Sequence, residues 1–163
     1  AKDAYCHKPV LKRAFLFGCL TGLRWSDIQN LTWDKIRRNS DYWEIAYTQK
    51  KTKAVEYLPI SEEARELLGE KQPGQDRVFI GLNYSSETNV QLNKWMLEAG
   101  ITKYITFHCS RHTYACIMLQ NKGDIYILSK LLGHKELRTT QIYAKIVDKQ
   151  KVEAVSNFPK IGL

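Results

Sequence analysis

The 163-residue sequence predicts an α+β fold, mainly α-helical, with a small three-stranded antiparallel sheet on one side. Three observations predict it. Apolar residues recur at intervals of three and four in several segments that close on glycine. Two runs rich in aromatic and β-branched residues, 42–48 and 55–60, flank a short polar stretch and read as a hairpin. A brief apolar run, 78–80, is available as the third strand.

Residues 1–8 read as a lead-in, the remnant of a linker. Pro9 suits the first turn of a helix whose apolar set is Val10, Leu11, Ala14, Phe15 and Leu16, ended by Thr21-Gly22. Arg24 follows at once, and Ser26-Asp27 suit the cap of a short helix holding Ile28 and Leu31. Polar residues 37–41 read as a connection into the hairpin. The hairpin tip, Gln49-Lys50-Lys51-Thr52-Lys53, is basic. Such a turn is ordinarily a solvated loop, yet it also has the reach to set one ammonium against a phosphate.

Ser61 is placed to cap a helix with Glu62-Glu63 in its first turn and Gly69 at its end. Residues 88–99 carry Val90, Leu92, Trp95 and Met96 at helical spacing and stop at Gly100. Thr106 is expected to cap a helix over 107–122, closed by Gly123. Asp124 opens a last helix over 125–132, which Gly133 breaks, so that His134 falls on a turn. Tyr143 lies between Ile142 and Ile146 in a short helical pattern, which predicts a hydroxyl projecting from a helix packed on its other face.

Length bounds the chain to one domain with a real core. Its 44% hydrophobic and 26% charged content are those of a soluble globular protein, with no apolar run of membrane-spanning length and no signal-peptide pattern. The chain does not begin with Met and reads as a fragment or a processed chain. With 25 Lys+Arg against 17 Asp+Glu the net charge is +8, which favours a polyanionic partner, nucleic acid ahead of an acidic membrane. Cys6, Cys19, Cys109 and Cys116 show no CxxC and no framework spacing, and read as reduced intracellular thiols.

The helix over 107–122 is the most informative stretch. His108, Arg111, Ala115 and Met118 or Leu119 fall on one stripe, so an arginine and a histidine continue the apolar face. A partly desolvated guanidinium needs an anion. A carboxylate of the protein would satisfy it, and so would a bound phosphate held by a bidentate fork. His108 and His112 have the i, i+4 spacing of zinc helices, but position 109 is Cys where HExxH has Glu and no acidic ligand follows. No metal is expected there. Nucleophile-elbow and phosphate-loop glycine patterns are also absent from the sequence.

Thr21-Gly22-Leu23-Arg24-Trp25-Ser26-Asp27-Ile28, His108-Cys109-Ser110-Arg111-His112-Thr113, Leu131-Leu132-Gly133-His134 and Tyr143 resemble, in type and order, the tyrosine recombinase (phage-integrase-like) family. The boxes cover residues 21–143, with His134 nine residues before Tyr143. The resemblance implies a catalytic domain over 1–163 that lacks the family's upstream core-binding domain, with 148–163 as a tail. It implies Arg24 and Arg111 as phosphate-clamping arginines, His108 and His134 as the two histidines, and Tyr143 as nucleophile. The hairpin lysine maps to Lys51, eight residues before Pro59, with Lys50 and Lys53 as alternatives. These lysines and the two arginines would contact DNA, and Asp27 would orient its neighbours.

The implied reaction is cleavage and rejoining of double-stranded DNA through a 3′-phosphotyrosine, without ATP, metal or other cofactor, serving integration or excision of a mobile element. It implies a tetramer on DNA for a full-length chain, a monomer for this domain alone, and a bacterial cytoplasmic protein of the nucleoid with no membrane role. Val152, Val155 and Phe158 would then pack on a neighbouring subunit or fold back on their own. A type IB topoisomerase, which relaxes supercoils without pairing two sites, and a catalytically silent DNA-binding module are the competing readings. The compact chain and the Leu-Gly-His box favour the recombinase over the first. The complete catalytic set argues against the second.

Overall fold

The computed structural model describes residues 2–48 and 55–143. The hairpin tip with Lys50, Lys51 and Lys53, and the tail with Ile146, Val152, Val155 and Phe158, lie outside them. The chain divides into two compact units, Ala1–His112 and Thr113–Leu163, and the division falls within one helix.

In the first unit, helix α1 (Pro9–Thr21) opens on proline, whose missing N–H is one the first turn leaves unpaired in any case. It buries Leu11, Ala14, Phe15, Phe17, Gly18 and Thr21, while Val10 and Leu16, expected inside, are half-buried. Phe15 packs edge-to-face on Trp95 at 5.8 Å and on Phe107 at 5.7 Å, and Trp25 meets Phe107 at 4.6 Å. Each ring removed from water contributes about 1.5–3 kcal/mol, and such pairings add about 0.5–1.5 kcal/mol. Helix α2 (Trp25–Gln29) follows; Arg24 occupies its cap position and Asp27 its first turn, so Ser26-Asp27 do not cap it.

The sheet has three antiparallel strands in the order β1 (Ile36–Asn39), β2 (Tyr42–Thr48) and β3 (Val55–Ile60). Ile36 pairs with Ile45 and Ile45 with Leu58, so the register lines one apolar row across all three. Strand β1 replaces the expected 78–80 strand. It is an edge strand in which only Ile36 is even half-buried, so no alternation marks it in the sequence. A two-residue turn at Ser40-Asp41, with Ser40 at φ 41°, joins it to β2. Val78 and Phe79 are both buried, which no half-buried strand allows, and Val78 N–H bonds Leu31 C=O instead.

Ser61 caps helix α3 (Glu62–Leu68) by accepting from Ala64 N–H at 3.2 Å, and Gly69 ends it at φ 73°, as expected. Helix α4 (Ser86–Glu98) starts two residues before Thr88, because Ser85 and Thr88 form a reciprocal capping box. Helix α5 (Cys109–Gln120) begins later than expected. Bonds from Cys109 N–H to Thr106 C=O and from Ser110 N–H to Phe107 C=O make a tighter turn ahead of it.

In the second unit, helix α6 (Ile125–Leu131) is short, with Asp124 accepting from Tyr126 and Ile127 N–H. Its end is a Schellman motif: Gly133, at φ 61°, donates to Lys130 C=O and His134 to Ser129 C=O. Tyr114, Ala115, Leu119, Leu128, Leu132 and Tyr143 form this unit's core cluster.

Helix α1 meets the start of α5 through a glycine. A Cβ on Gly18 would lie 2.6 Å from Ser110 Oγ and 3.3 Å from Ile28 Cδ1. Ser110 is buried and donates to Phe107 C=O, so it has little freedom to yield. Gly18→Ala is expected to lower stability by about 1–3 kcal/mol in urea unfolding, with Ser110→Gly restoring part of the loss. A change under about 0.5 kcal/mol would contradict the close approach.

Candidate active site

The Thr-Gly-Leu-Arg box is a helix stop followed directly by a helix start. Thr21 Oγ1 donates to Phe17 C=O at 2.8 Å, and Gly22 turns left-handed at φ 67° while its N–H bonds Gly18 C=O. Two residues later Arg24, in extended backbone, accepts from Asp27 and Ile28 N–H and starts α2. Leu23 is buried and Arg24 is exposed, so the turn anchors itself through the leucine and presents the arginine.

Arg111 is 5% exposed, and its Nη1 donates to Gly22 C=O at 2.6 Å. The buried cation of α5 is thus tied to the turn that carries Arg24. On the predicted stripe, Arg111, Ala115 and Leu119 are buried, whereas His108 is exposed and precedes the first helical residue. His108 C=O accepts from Arg111 and His112 N–H, and the His108 and His112 rings pack edge-to-face at 4.8 Å.

Partial burial of an otherwise exposed ring holds His108 below the ordinary histidine pKa, and the charges of His112, Arg111 and Arg24 push the same way. Tyr47, on β2 opposite Glu56, was not singled out in the sequence. Burial raises its phenol pKa, the Glu56 and Asp27 carboxylates add to that, and Arg24 and Arg111 oppose it. Arg24, Asp27, Tyr47, His108 and Arg111 therefore share one electrostatic neighbourhood within the first unit. The signal for Tyr47 was its place at the end of the strand leading into the lysine hairpin.

In the second unit, His134 follows Gly133, and its Nδ1 lies 2.8 Å from Thr140 Oγ1. Tyr143 sits in a short 3-10 turn, Gln141–Tyr143, not on the solvent-facing side of a helix. Its ring is 8% exposed and belongs to the core cluster, while Ile142 is 66% exposed. The expected partition of those two residues is thus reversed. Among the described residues, no three His, Cys, Asp or Glu side chains cluster as metal ligands, and no helix is long and apolar enough to cross a membrane. Lys50, Lys51 and Lys53 lie outside the described residues.

The family model described as the phage integrase family matches residues 1–150. The chain belongs to the phage integrase family. Among this family's curated members it is 32% identical to the tyrosine recombinase XerC of Neisseria meningitidis, over 77% of this chain and 44% of that protein. It is 30% identical to a tyrosine recombinase of Pseudothermotoga lettingae, over 95% of this chain and 55% of the relative. The chain spans about half the length of these relatives. The solved catalytic domain of bacteriophage HP1 integrase superposes with a TM-score of 0.62 at 26% identity, covering 98% of this chain and 97% of that domain. A XerH recombinase bound to its difH substrate shares the fold, with a TM-score of 0.69 at 20% identity, covering 91% of this chain and 45% of that one. The mainly helical fold with a three-stranded antiparallel sheet is therefore the integrase catalytic fold.

The folded His108 pKa lies below the unfolded value of about 6.5, so near that pH the unfolded chain binds more protons. The corresponding stability is present above the unfolded value and is lost as pH falls toward the folded one. An NMR titration is expected to find the His108 midpoint below 6.5 and His112→Asn to raise it. A midpoint at or above 6.5 in the folded chain would contradict this packing.

Proposed function

We propose that this chain is the DNA-cleaving and DNA-joining domain of a tyrosine site-specific recombinase. The observation that carries the reading is the buried Arg111 bonded to the turn that presents Arg24, in a chain of the phage integrase family. Several relatives are named tyrosine recombinase or integrase, and the XerH and lambda integrase neighbours are described as bound to DNA.

In this reading Arg24 and Arg111 hold the non-bridging oxygens of one DNA phosphate, where charge accumulates in the five-coordinate transition state. Arg111 suits the role because its helix and its bond to Gly22 restrict its motion before DNA arrives. Tyr143 Oη attacks phosphorus and forms a 3′-phosphotyrosine bond as the phosphorus–5′-oxygen bond breaks. A phenol titrates near ~10, so its proton must leave during attack. His108 is the acceptor or positions one, and its lowered pKa keeps the ring neutral at pH 7 and able to accept. His134 donates a hydrogen bond to the phosphate. Lys51, or Lys50 or Lys53 in its place, protonates the departing 5′-oxygen, and Asp27 steadies the arginine turn.

Rejoining reverses the step with a 5′-hydroxyl from another strand, so the bond energy is conserved and no nucleotide triphosphate is consumed. In the full-length protein this chemistry would run in a tetramer on paired DNA sites, at the nucleoid, in integration or excision of a mobile element. A duplex nicked just downstream of the cleaved phosphate should trap a covalent protein–DNA adduct, and Tyr143→Phe should form none. An adduct of equal yield from Tyr143→Phe would overturn the assignment. Exchange between two sites, rather than relaxation of a plasmid by a single copy, separates recombinase from topoisomerase.

A further inference from the structure

Thr140 is a fully buried polar residue whose side chain touches His134, a residue of the proposed machinery in the second unit. It is 0% exposed, and its backbone is held on both sides: its N–H donates to Leu137 C=O at 2.8 Å and its C=O accepts from Tyr143 N–H at 3.1 Å. A β-branched side chain on so constrained a backbone has little χ1 freedom. Its hydroxyl meets His134 Nδ1 at 2.8 Å. The histidine is constrained as well, because its N–H closes the Schellman motif at the end of α6.

We propose that Thr140 is a positioning residue that donates its hydroxyl proton to His134 Nδ1 and thereby fixes the neutral ring as the Nε2–H tautomer. The reasoning is a count of protons. A hydroxyl carries one, and among the described residues Thr140 Oγ1 meets no polar partner other than His134. If Nδ1 carried the ring proton, the oxygen would accept it and the hydroxyl proton would be left buried without an acceptor, a penalised state. With Nδ1 unprotonated, the hydroxyl proton has its acceptor in the ring. The ring's remaining N–H then lies on Nε2, the nitrogen opposite the anchor, which is the donor the proposed phosphate contact requires. Through its backbone carbonyl the same residue holds the turn that carries Tyr143, so its side chain meets the second histidine while its main chain starts the nucleophile's turn.

This inference rests on the recombinase reading for its catalytic consequence, but not for its structural core. The test is a long-range ¹H–¹⁵N spectrum of the histidine-labelled chain at about pH 8.5, above the ordinary histidine range. Loss of one signal in His134→Gln assigns the residue. The expected wild-type spectrum shows a protonated Nε2 and an unprotonated Nδ1. Thr140→Ser keeps the hydroxyl and should keep that tautomer, whereas Thr140→Val should give a mixture. In the suicide-substrate assay Thr140→Val should slow adduct formation about 10- to 100-fold, the scale seen for groups that orient metal-bound imidazoles, with half-saturating DNA unchanged. Thr140→Ser should recover most of the rate. A protonated Nδ1 in the wild type, or an unaltered tautomer in Thr140→Val, overturns the proposal. If Thr140→Val does not fold, the wild-type and Thr140→Ser spectra still decide. A wild-type chain with the expected tautomer that forms no adduct would count against the recombinase reading and not against the hydrogen bond.

Discussion

A single long-range hydrogen bond, from the buried guanidinium of Arg111 to the carbonyl of Gly22, organises the first unit. It joins positions 89 residues apart, tying Arg111 to the turn between α1 and α2. A desolvated cation is costly unless its donors are used, so the fold is arranged to use them. The left-handed Gly22 ends α1 and offers its carbonyl to Arg111, and Gly18 leaves room for Ser110, the residue before Arg111, to approach α1 closely. The same turn exposes Arg24 two residues on, and the approach to α5 places His108 three residues before Arg111. The contact thus ties the buried guanidinium of Arg111 to the turn that presents Arg24.

The second unit follows a different logic. The groups proposed to react there are held by packing and by short turns rather than by a buried charge. Tyr143 is part of the core cluster, and His134 is pinned from two directions, by the helix end through its backbone and by Thr140 through its ring. A phenol is mostly apolar surface with one polar atom, so it can serve as core and as reagent at once. Conserving its position in this way needs no long helix, and only a 3-10 turn of three residues carries it.

Most of the architecture was legible because helices announce themselves by period and by glycine stops. Ser61, Gly69, Asp124 and Gly133 each sit where local physics alone puts a cap or a stop. What escaped was whatever depended on a partner rather than on a segment's own pattern. Strand β1 has three exposed positions of four and borrows its identity from β2, so nothing local betrays it. Ser85 was passed over as a cap because the helix was expected to begin at Thr88, its partner in the capping box. Tyr143 and Ile142 exchanged places because neighbouring residues cannot both face the core, and polarity suggested the wrong one. The arginines and histidines could be picked out from their order along the chain, in boxes that resemble those of the family to which the chain belongs. Tyr47 and Thr140 had no such order to mark them.

The central claim is that two guanidiniums, from residues 24 and 111, grip the same phosphate. A double-substitution cycle on the rate of phosphotyrosine formation addresses it most directly, using Arg24→Ala, Arg111→Ala and both together. Each single change is expected to slow the step by on the order of 10²–10³, and the pair by far less than the product of the two, because groups acting as a unit fail together. Losses that simply multiply, or an Arg24→Ala chain that reacts at the wild-type rate, would contradict it.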